Sequence, residues 1–180
     1  MLNLRLRSAA RQRGLTLIEM LIGVALIGVL TAVALPEFQT WIANTKIRTA
    51  SESVLSGMQL ARADAVRRNV NVQFAFSTGS SWAVTVPSTG ETVQSRSATE
   101  GGTDLLTVTR TPSAATKVTF NSLGRTTANA DATALLTQVD IDNGAISAAK
   151  SRELRIMVGT GGSVRMCDPS VTTTGDPRKC

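Results

Sequence analysis

The sequence predicts an α+β protein: one long N-terminal α-helix, its apolar half transmembrane, packed on a small, mainly antiparallel β-sheet domain. Three observations carry this. Leu15 to Leu35 is an apolar run of membrane-spanning length, helical periodicity continues from residue 37 to Asn69, and short alternating segments between Gly- and Ser-rich turns fill residues 70–180. The 180 residues support one domain behind the helix. Apolar residues make up 42% of the chain, but the run holds many of them. The Ser/Thr/Gly-rich remainder can therefore bury only a small core.

The chain opens on a basic stretch. Arg5, Arg7, Arg11 and Arg13 precede Gly14 with no acid among them, and removing these four from 19 basic residues leaves 15 against 13 acidic ones, so +2 of the formal +6 remains. Overall basicity is thus poor ground for nucleic-acid binding. The run that follows contains one charge, Glu19, and as a helix it reaches about 30 Å, enough to cross a bilayer core. The residues after it, Pro36, Glu37, Phe38 and Gln39, do not form the small-residue cleavage site of a secretory signal. Arginines on the N-terminal flank place that end in the cytoplasm and the remainder outside it. On length and charge alone, a plain signal anchor fits equally well.

The junction itself is more specific. Arg13-Gly14-Leu15-Thr16-Leu17-Ile18-Glu19 resembles the prepilin leader motif of type IV pilins and type II secretion pseudopilins. The resemblance implies a leader of residues 1–14, cleavage between Gly14 and Leu15 by a prepilin peptidase, and N-methylation of Leu15 by the same enzyme. It departs from the family in one residue, since the first mature position is usually Phe. Glu19 becomes the fifth mature residue, where the family places an acid. A carboxylate inside an apolar span is costly and usually functional. The resemblance implies that Glu19 pairs with the amino group of a neighbouring subunit during assembly; snorkelling to the membrane interface is the structural alternative.

Pro36 closes the segment 15–36. It lacks a backbone donor, so it either ends the helix or kinks it, and the periodicity that resumes at once favours a kink or melted turn. In the second half, residues 37–69, Ile47, Ala50, Val54, Met58, Ala61 and Ala65 recur at spacings of three and four and form a core-facing stripe. Arg48, Glu52, Arg62, Arg67 and Arg68 fall largely off it and read as a solvated face. Residues 59–69, Gln-Leu-Ala-Arg-Ala-Asp-Ala-Val-Arg-Arg-Asn, resemble the end of the long helix in the GspH/FimT branch, which holds the type II secretion minor pseudopilin H and the type IV minor pilins FimT and FimU.

In residues 70–180, Val70, Val72, Phe74 and Phe76 alternate, 77–81 turn the chain, and Trp82, Val84 and Val86 alternate again, which predicts a hairpin. Residues 87–104 read as a loop with one edge strand. Short strands follow at 105–110 and 117–120, and Phe120-Asn121-Ser122-Leu123-Gly124-Arg125 resembles a strand-turn motif of the same branch, with Gly124 supplying the turn. Residues 126–150 are weakly patterned, with strands placed around 135–141. The last hairpin is the clearest: Leu154, Ile156 and Val158 alternate, 159–162 turn, and Val164 and Met166 resume. Matching apolar faces pairs Val158 with Val164 and Ile156 with Met166, and sets Met157 opposite Arg165 and Arg155 opposite Cys167.

Arg155 and Arg165 read first as a solvated outer face. The resemblance adds a DNA contact, because a Gly-Arg-x-Arg motif in this region of some FimT-type pilins is associated with binding incoming DNA. Here the residues are Gly162-Ser163-Val164-Arg165, so only Arg165 carries over; Arg155, Arg178 and Lys179 could restore charge. The exported domain lacks the interleaved aromatics of a single-strand platform. Cys167 and Cys180, an even pair in an exported chain, read as a disulfide closing a C-terminal loop. Two thiols and no His exclude a zinc shell from this chain alone, and no cofactor is expected.

These features predict a structural minor pilin of a type IV pilus, incorporated into the filament or priming it, with a part in DNA uptake raised only by the resemblance to DNA-binding pilins and not predicted by the residues. The expected partners are the prepilin peptidase/N-methyltransferase, other minor and major pilins or pseudopilins, and the bacterial inner membrane, with DNA raised only by the motif above. The subunit would be single-pass with its C-terminal domain periplasmic, and would then enter a pilus or pseudopilus. The alternative within the same class is the type II secretion pseudopilin H. A membrane-tethered enzyme is the alternative of another class, and the chain offers neither His nor a Gly-x-Ser-x-Gly elbow to activate a nucleophile.

Overall fold

Apolar residues at helical spacing keep a single helix α1 running from Leu17 to Arg68 in the computed structural model. The structure describes residues 16–100, 102 and 106–180. The cleavage residues Gly14 and Leu15 lie outside them. The chain divides into two compact units, one ending at Phe38 and one comprising Gln39–Cys180, each described by itself.

In the first unit the apolar window of α1 has a mean hydropathy of 2.4 and none of it is buried in protein. Leu17, Ile18, Leu21, Ile27 and Leu30 all expose more than half of their surface. Thr31 adds no unsatisfied hydroxyl, because its Oγ1 donates to the Ile27 carbonyl at 2.7 Å. Pro36 lies inside the helix, which continues through it, so the residue is not a terminator.

The second unit is built on the stripe read from the sequence. Ile47, Val54, Met58, Ala61 and Ala65 are fully buried, and Ala43 and Ala50 nearly so. Small residues let aromatic rings approach the helix backbone. A Cβ at Gly57 would lie 2.9 Å from Phe74 Cε2 and 3.0 Å from the Trp82 ring. The Trp82 indole donates to Ser53 Oγ at 2.9 Å, so the ring is buried without an orphaned N–H. Phe74 meets Phe76 edge-on at 5.1 Å between centroids and Trp82 at 5.6 Å. Asn69, at φ 57°, ends the helix in the left-handed region, and Val70 N–H returns to the Ala65 carbonyl at 3.3 Å as in a Schellman cap.

Nine strands follow: β1 (Val72–Phe76), β2 (Trp82–Val86), β3 (Glu91–Arg96), β4 (Thr107–Thr111), β5 (Lys117–Phe120), β6 (Thr126–Thr127), β7 (Gln138–Asp142), β8 (Leu154–Val158) and β9 (Val164–Cys167). They form two antiparallel sheets, β3-β2-β1-β5-β6 and β4-β7-β8-β9. A single apolar cluster joins the helix stripe to Val72, Phe74, Val84, Val118 and Phe120 of the first sheet and to Val139, Ile141 and Ile156 of the second. Arg110 of β4 sits 5.9 Å above the Phe76 ring of β1, a further link between sheets.

The helix, the first hairpin and the register of the last hairpin match the sequence reading. β8 and β9 pair Val158 with Val164, Ile156 with Met166, Met157 with Arg165 and Arg155 with Cys167. Three features differ. The small sheet is two sheets, since strand order rests on pairings between residues far apart in the chain and not on local alternation. β6 is a two-residue strand inside the weakly patterned region, too short to leave a period. Arg68 is not simply solvated: its guanidinium reaches Asp64 at 2.8 Å and Glu91 of β3 at 2.8 Å, tying the helix end to the sheet edge.

Two turns interlock beside the helix end. Gly124, at φ +70°, closes the β5–β6 turn and its carbonyl accepts from Arg62 Nε at 3.0 Å. Gly162, at φ +80°, is in the β8–β9 turn, where a Cβ would fall 1.8 Å from the Gly124 oxygen. Thr126 Oγ1 adds a bond to the Thr160 carbonyl at 3.1 Å. No side chain fits between these backbones, so glycine at 162 is a packing requirement as well as a torsional one.

The C-terminal segment is held at both ends of its loop. Cys167 and Cys180 are disulfide-bonded with Cα atoms 5.1 Å apart, and Asp168 N–H donates to the Arg178 carbonyl at 2.7 Å. Three stability effects are expected. Replacing Gly57 by Leu should lower stability by roughly 1–3 kcal/mol through overpacking against Phe74 and Trp82, read as a fall in thermal midpoint of the detergent-solubilised protein. Gly162→Ala should cost roughly 2–4 kcal/mol, because it adds a backbone clash to the left-handed torsion; an unchanged urea midpoint would contradict the interlock. The double variant Cys167→Ser/Cys180→Ser should lose roughly 3 kcal/mol and gain proteolytic cleavage between residues 168 and 180, mapped by mass spectrometry of limited digests.

Candidate functional site

Two regions hold the residues singled out by the sequence. The first is the start of α1. Thr16 and Glu19 stand three apart, the spacing at which a cap hydroxyl and an N3 carboxylate can satisfy each other's backbone donors. The structure brings them together this way: Glu19 N–H donates to Thr16 Oγ1 at 3.3 Å, and Thr16 N–H and Oγ1 approach Glu19 Oε2 at 3.4 Å. The bonds are long for their type. Glu19 therefore has a local structural task that the sequence reading overlooked, although the Thr-x-x-Glu signal was present. Around it, Leu17, Ile18, Met20 and Leu21 are exposed, so an apolar surface surrounds a single carboxylate.

The second region is the outer face of the β7–β8–β9 sheet and the C-terminal loop. Alternation puts Ile156 and Val158 inward, so Arg155, Met157 and Arg165 fall on the other face. Each of the four cationic candidates there has an acceptor from the chain itself. Arg155 Nε lies 2.6 Å from Asp140 Oδ1 on β7, and its Nη2 3.3 Å from Oδ2. Arg165 donates to the carbonyls of Lys179 at 3.5 Å and Cys180 at 3.3 Å. Arg178 forms a two-pronged pair with Asp176 at 2.7 and 3.1 Å, and Lys179 Nζ donates to the Thr172 carbonyl at 3.2 Å.

The electrostatics follow from these pairs. Hydrogen bonds from Arg178 hold the Asp176 carboxyl down at about 2. Burial, with Asp140 and Asp142 nearby, pushes the Glu153 carboxyl above its ordinary value. Acids are thus as much a part of this face as cations. A nucleic-acid phosphate bound here would have to displace the chain's own acceptors from Arg155, Arg165 and Arg178. Asp140 as the partner of Arg155 was not foreseen, because β7 lay in the weakly patterned stretch and its neighbour in the sheet could not be read locally.

Elsewhere the chemistry is sparse. A groove of about 270 Å³ beside Trp82 is bordered by Glu52, Ser53, Ser56, Gln94 and Arg96, and the Ser53 hydroxyl in it is taken by the Trp82 indole N–H. Among the described residues no three His, Cys, Asp or Glu side chains converge as a metal-ligand set.

Comparison with known proteins places these features. Residues 50–162 match the family model described as type II transport protein GspH, and residues 9–35 match that of the prokaryotic N-terminal methylation motif. A fimbrial protein of Pseudomonas aeruginosa is 42% identical over 55 residues, covering 31% of this chain and 35% of that protein. The type IV major fimbrial protein FimA of Dichelobacter nodosus is 49% identical over 43 residues, 23% of this chain and 28% of that one. The chain thus spans about a third of the length of the curated relatives it matches. A crystal structure of the type IV minor pilin FimU from P. aeruginosa aligns with a TM-score of 0.46 at 15% identity, over 70% of this chain and 99% of that one. The GspH match covers more than half of the sequence and takes in α1 from Ala50 onward and most of both sheets: the chain belongs to the GspH family, with an N-terminal methylation motif ahead of its GspH domain.

Proposed function

We propose that this chain is a structural subunit of a type IV pilus, a minor pilin that is processed at the membrane and then incorporated into the filament or used to prime it. The observation that carries the reading is the joining of a methylation motif over residues 9–35 to a GspH domain over 50–162 in one chain. In this reading a prepilin peptidase cuts between Gly14 and Leu15 and methylates Leu15. The run Leu15–Leu35 holds the subunit in the bacterial inner membrane with the domain on the periplasmic side, where the Cys167–Cys180 bridge can persist. The activity is assembly with other pilins and not catalysis. A second reading, the minor pseudopilin H of a type II secretion machine, is favoured by the description of the matching family. Deleting the gene separates the two: loss of surface pili supports the first, and loss of protein secretion with pili intact supports the second.

Assembly gives Glu19 its second task. Once the leader is removed, the amino group of a neighbouring subunit and this carboxylate neutralise each other inside a dry bundle of helices, where either charge alone would be strongly unfavourable. The capping geometry makes the test specific. Glu19→Gln keeps an oxygen for the Thr16 backbone N–H but removes the charge, whereas Glu19→Ala removes both. Both variants should be cleaved normally and remain in the membrane, and both should be depleted from sheared filaments, measured by immunoblot against the major subunit. Filament incorporation of the Gln variant at the native level, with only the Ala variant impaired, would reduce Glu19 to a helix cap.

A further inference from the structure

One end of the second unit combines aromatic, apolar and cationic side chains. Trp41 exposes 63% of its surface and Ile42 36%, in a chain whose other tryptophan, Trp82, is 3% exposed. Successive helix residues turn by about 100°, so Trp41 points away from the side on which Ala43 and Ile47 enter the core. The helix at this level also carries a loop. Asn44 Nδ2 donates to the Lys150 carbonyl at 3.0 Å, and its Oδ1 accepts from Arg152 N–H at 2.8 Å. These two bonds fix the exposed residues Lys150 and Arg152 beside the helix, within a turn of Trp41 and of Lys46.

We infer that Trp41, Ile42, Lys46, Lys150 and Arg152 form a docking rim for the membrane–water interface, taking the headgroups of anionic phospholipids. Two observations select this occupant. Trp41 follows the last residue of the membrane-length run by only six positions, and a run of that length ends at the headgroup layer. The composition also suits that layer, since tryptophan settles there with its ring in the acyl boundary and its N–H wet, and nearby Lys and Arg are drawn to anionic lipid. Asn44 acts as a positioning residue that brings two cations from a distant loop to the level of the aromatic ring. The rim would hold the domain against the bilayer while the subunit awaits assembly. The inference rests on the membrane-spanning reading above.

The experiment uses the full chain in vesicles of phosphatidylcholine with increasing phosphatidylglycerol, with a brominated-chain phosphatidylcholine as the quencher of tryptophan emission. The expected result is partial quenching that grows with phosphatidylglycerol, that disappears in Trp41→Phe because buried Trp82 alone remains, and that loses its phosphatidylglycerol dependence in Lys46→Gln/Lys150→Gln/Arg152→Gln. Emission from Trp41 quenched by aqueous iodide and untouched by brominated lipid would overturn the docking. A phosphatidylglycerol dependence that survives in the triple variant would overturn the cationic half of the rim. Release of the protein from the vesicles by alkaline carbonate would overturn the spanning segment itself, a result distinct from retention with an unquenched Trp41.

Discussion

The arrangement of residues 39–180 depends on how closely two aromatic rings approach the backbone of α1. The domain has few large side chains with which to build an interior: four Phe and two Trp in the whole chain, no Tyr, and Phe38 and Trp41 both exposed. Phe74, Phe76, Trp82 and Phe120 are therefore the large pieces of the core, and all four are buried. They fill it only because the facing helix stripe is made mostly of small residues, with Gly57 where Phe74 and Trp82 come nearest. Burial of that stripe contributes on the order of 25 cal/mol for each Å² of apolar surface removed from water. A wider stripe would hold the sheet away and leave the rings half solvated.

What the sequence made legible and what it concealed divide along the same physical line. The stripe from Ile47 to Ala65 and the β8–β9 register were readable because each depends on a local period, 3.6 in one case and 2 in the other, with one face buried. β3 carries Glu91, Gln94 and Arg96 and is exposed along most of its length, so its residues leave almost no alternation to read. The separation into two sheets was invisible for another reason. It rests on partners such as Val72 with Phe120 and Asp140 with Arg155, which no local pattern pairs.

The candidate sites show the same division. The junction at Gly14 and the acid at Glu19 stood out because contiguous residues carry the motif. The reciprocal bonds between Thr16 and Glu19 are equally local, carried by the Thr-x-x-Glu spacing. The charged residues of the outer sheet face were identified one by one, but their meaning changed with their partners. Asp64, on the helix and outside that sheet face, shows the same dependence on partners. A carboxylate near a helix C-terminus is unfavourable against the helix dipole, and burial would make it worse. Arg67 and Arg68 at the next turn offset both effects, and Arg68 passes the charge on to Glu91.

The meeting of Gly124 and Gly162 also determines where this chain can vary. At position 162 the opposing carbonyl leaves no volume for a side chain, so substitution there is closed by geometry. Ser163, the next residue, is exposed and contributes no side chain to the core. A neighbouring pair of positions thus differs in tolerance: one is fixed by the fold, and the other faces solvent and is free to vary. Exchange of one polar residue for another at 163 could therefore alter the chemistry of the exposed turn without disturbing the interlock beneath it. The turn is a rigid mount with an interchangeable tip.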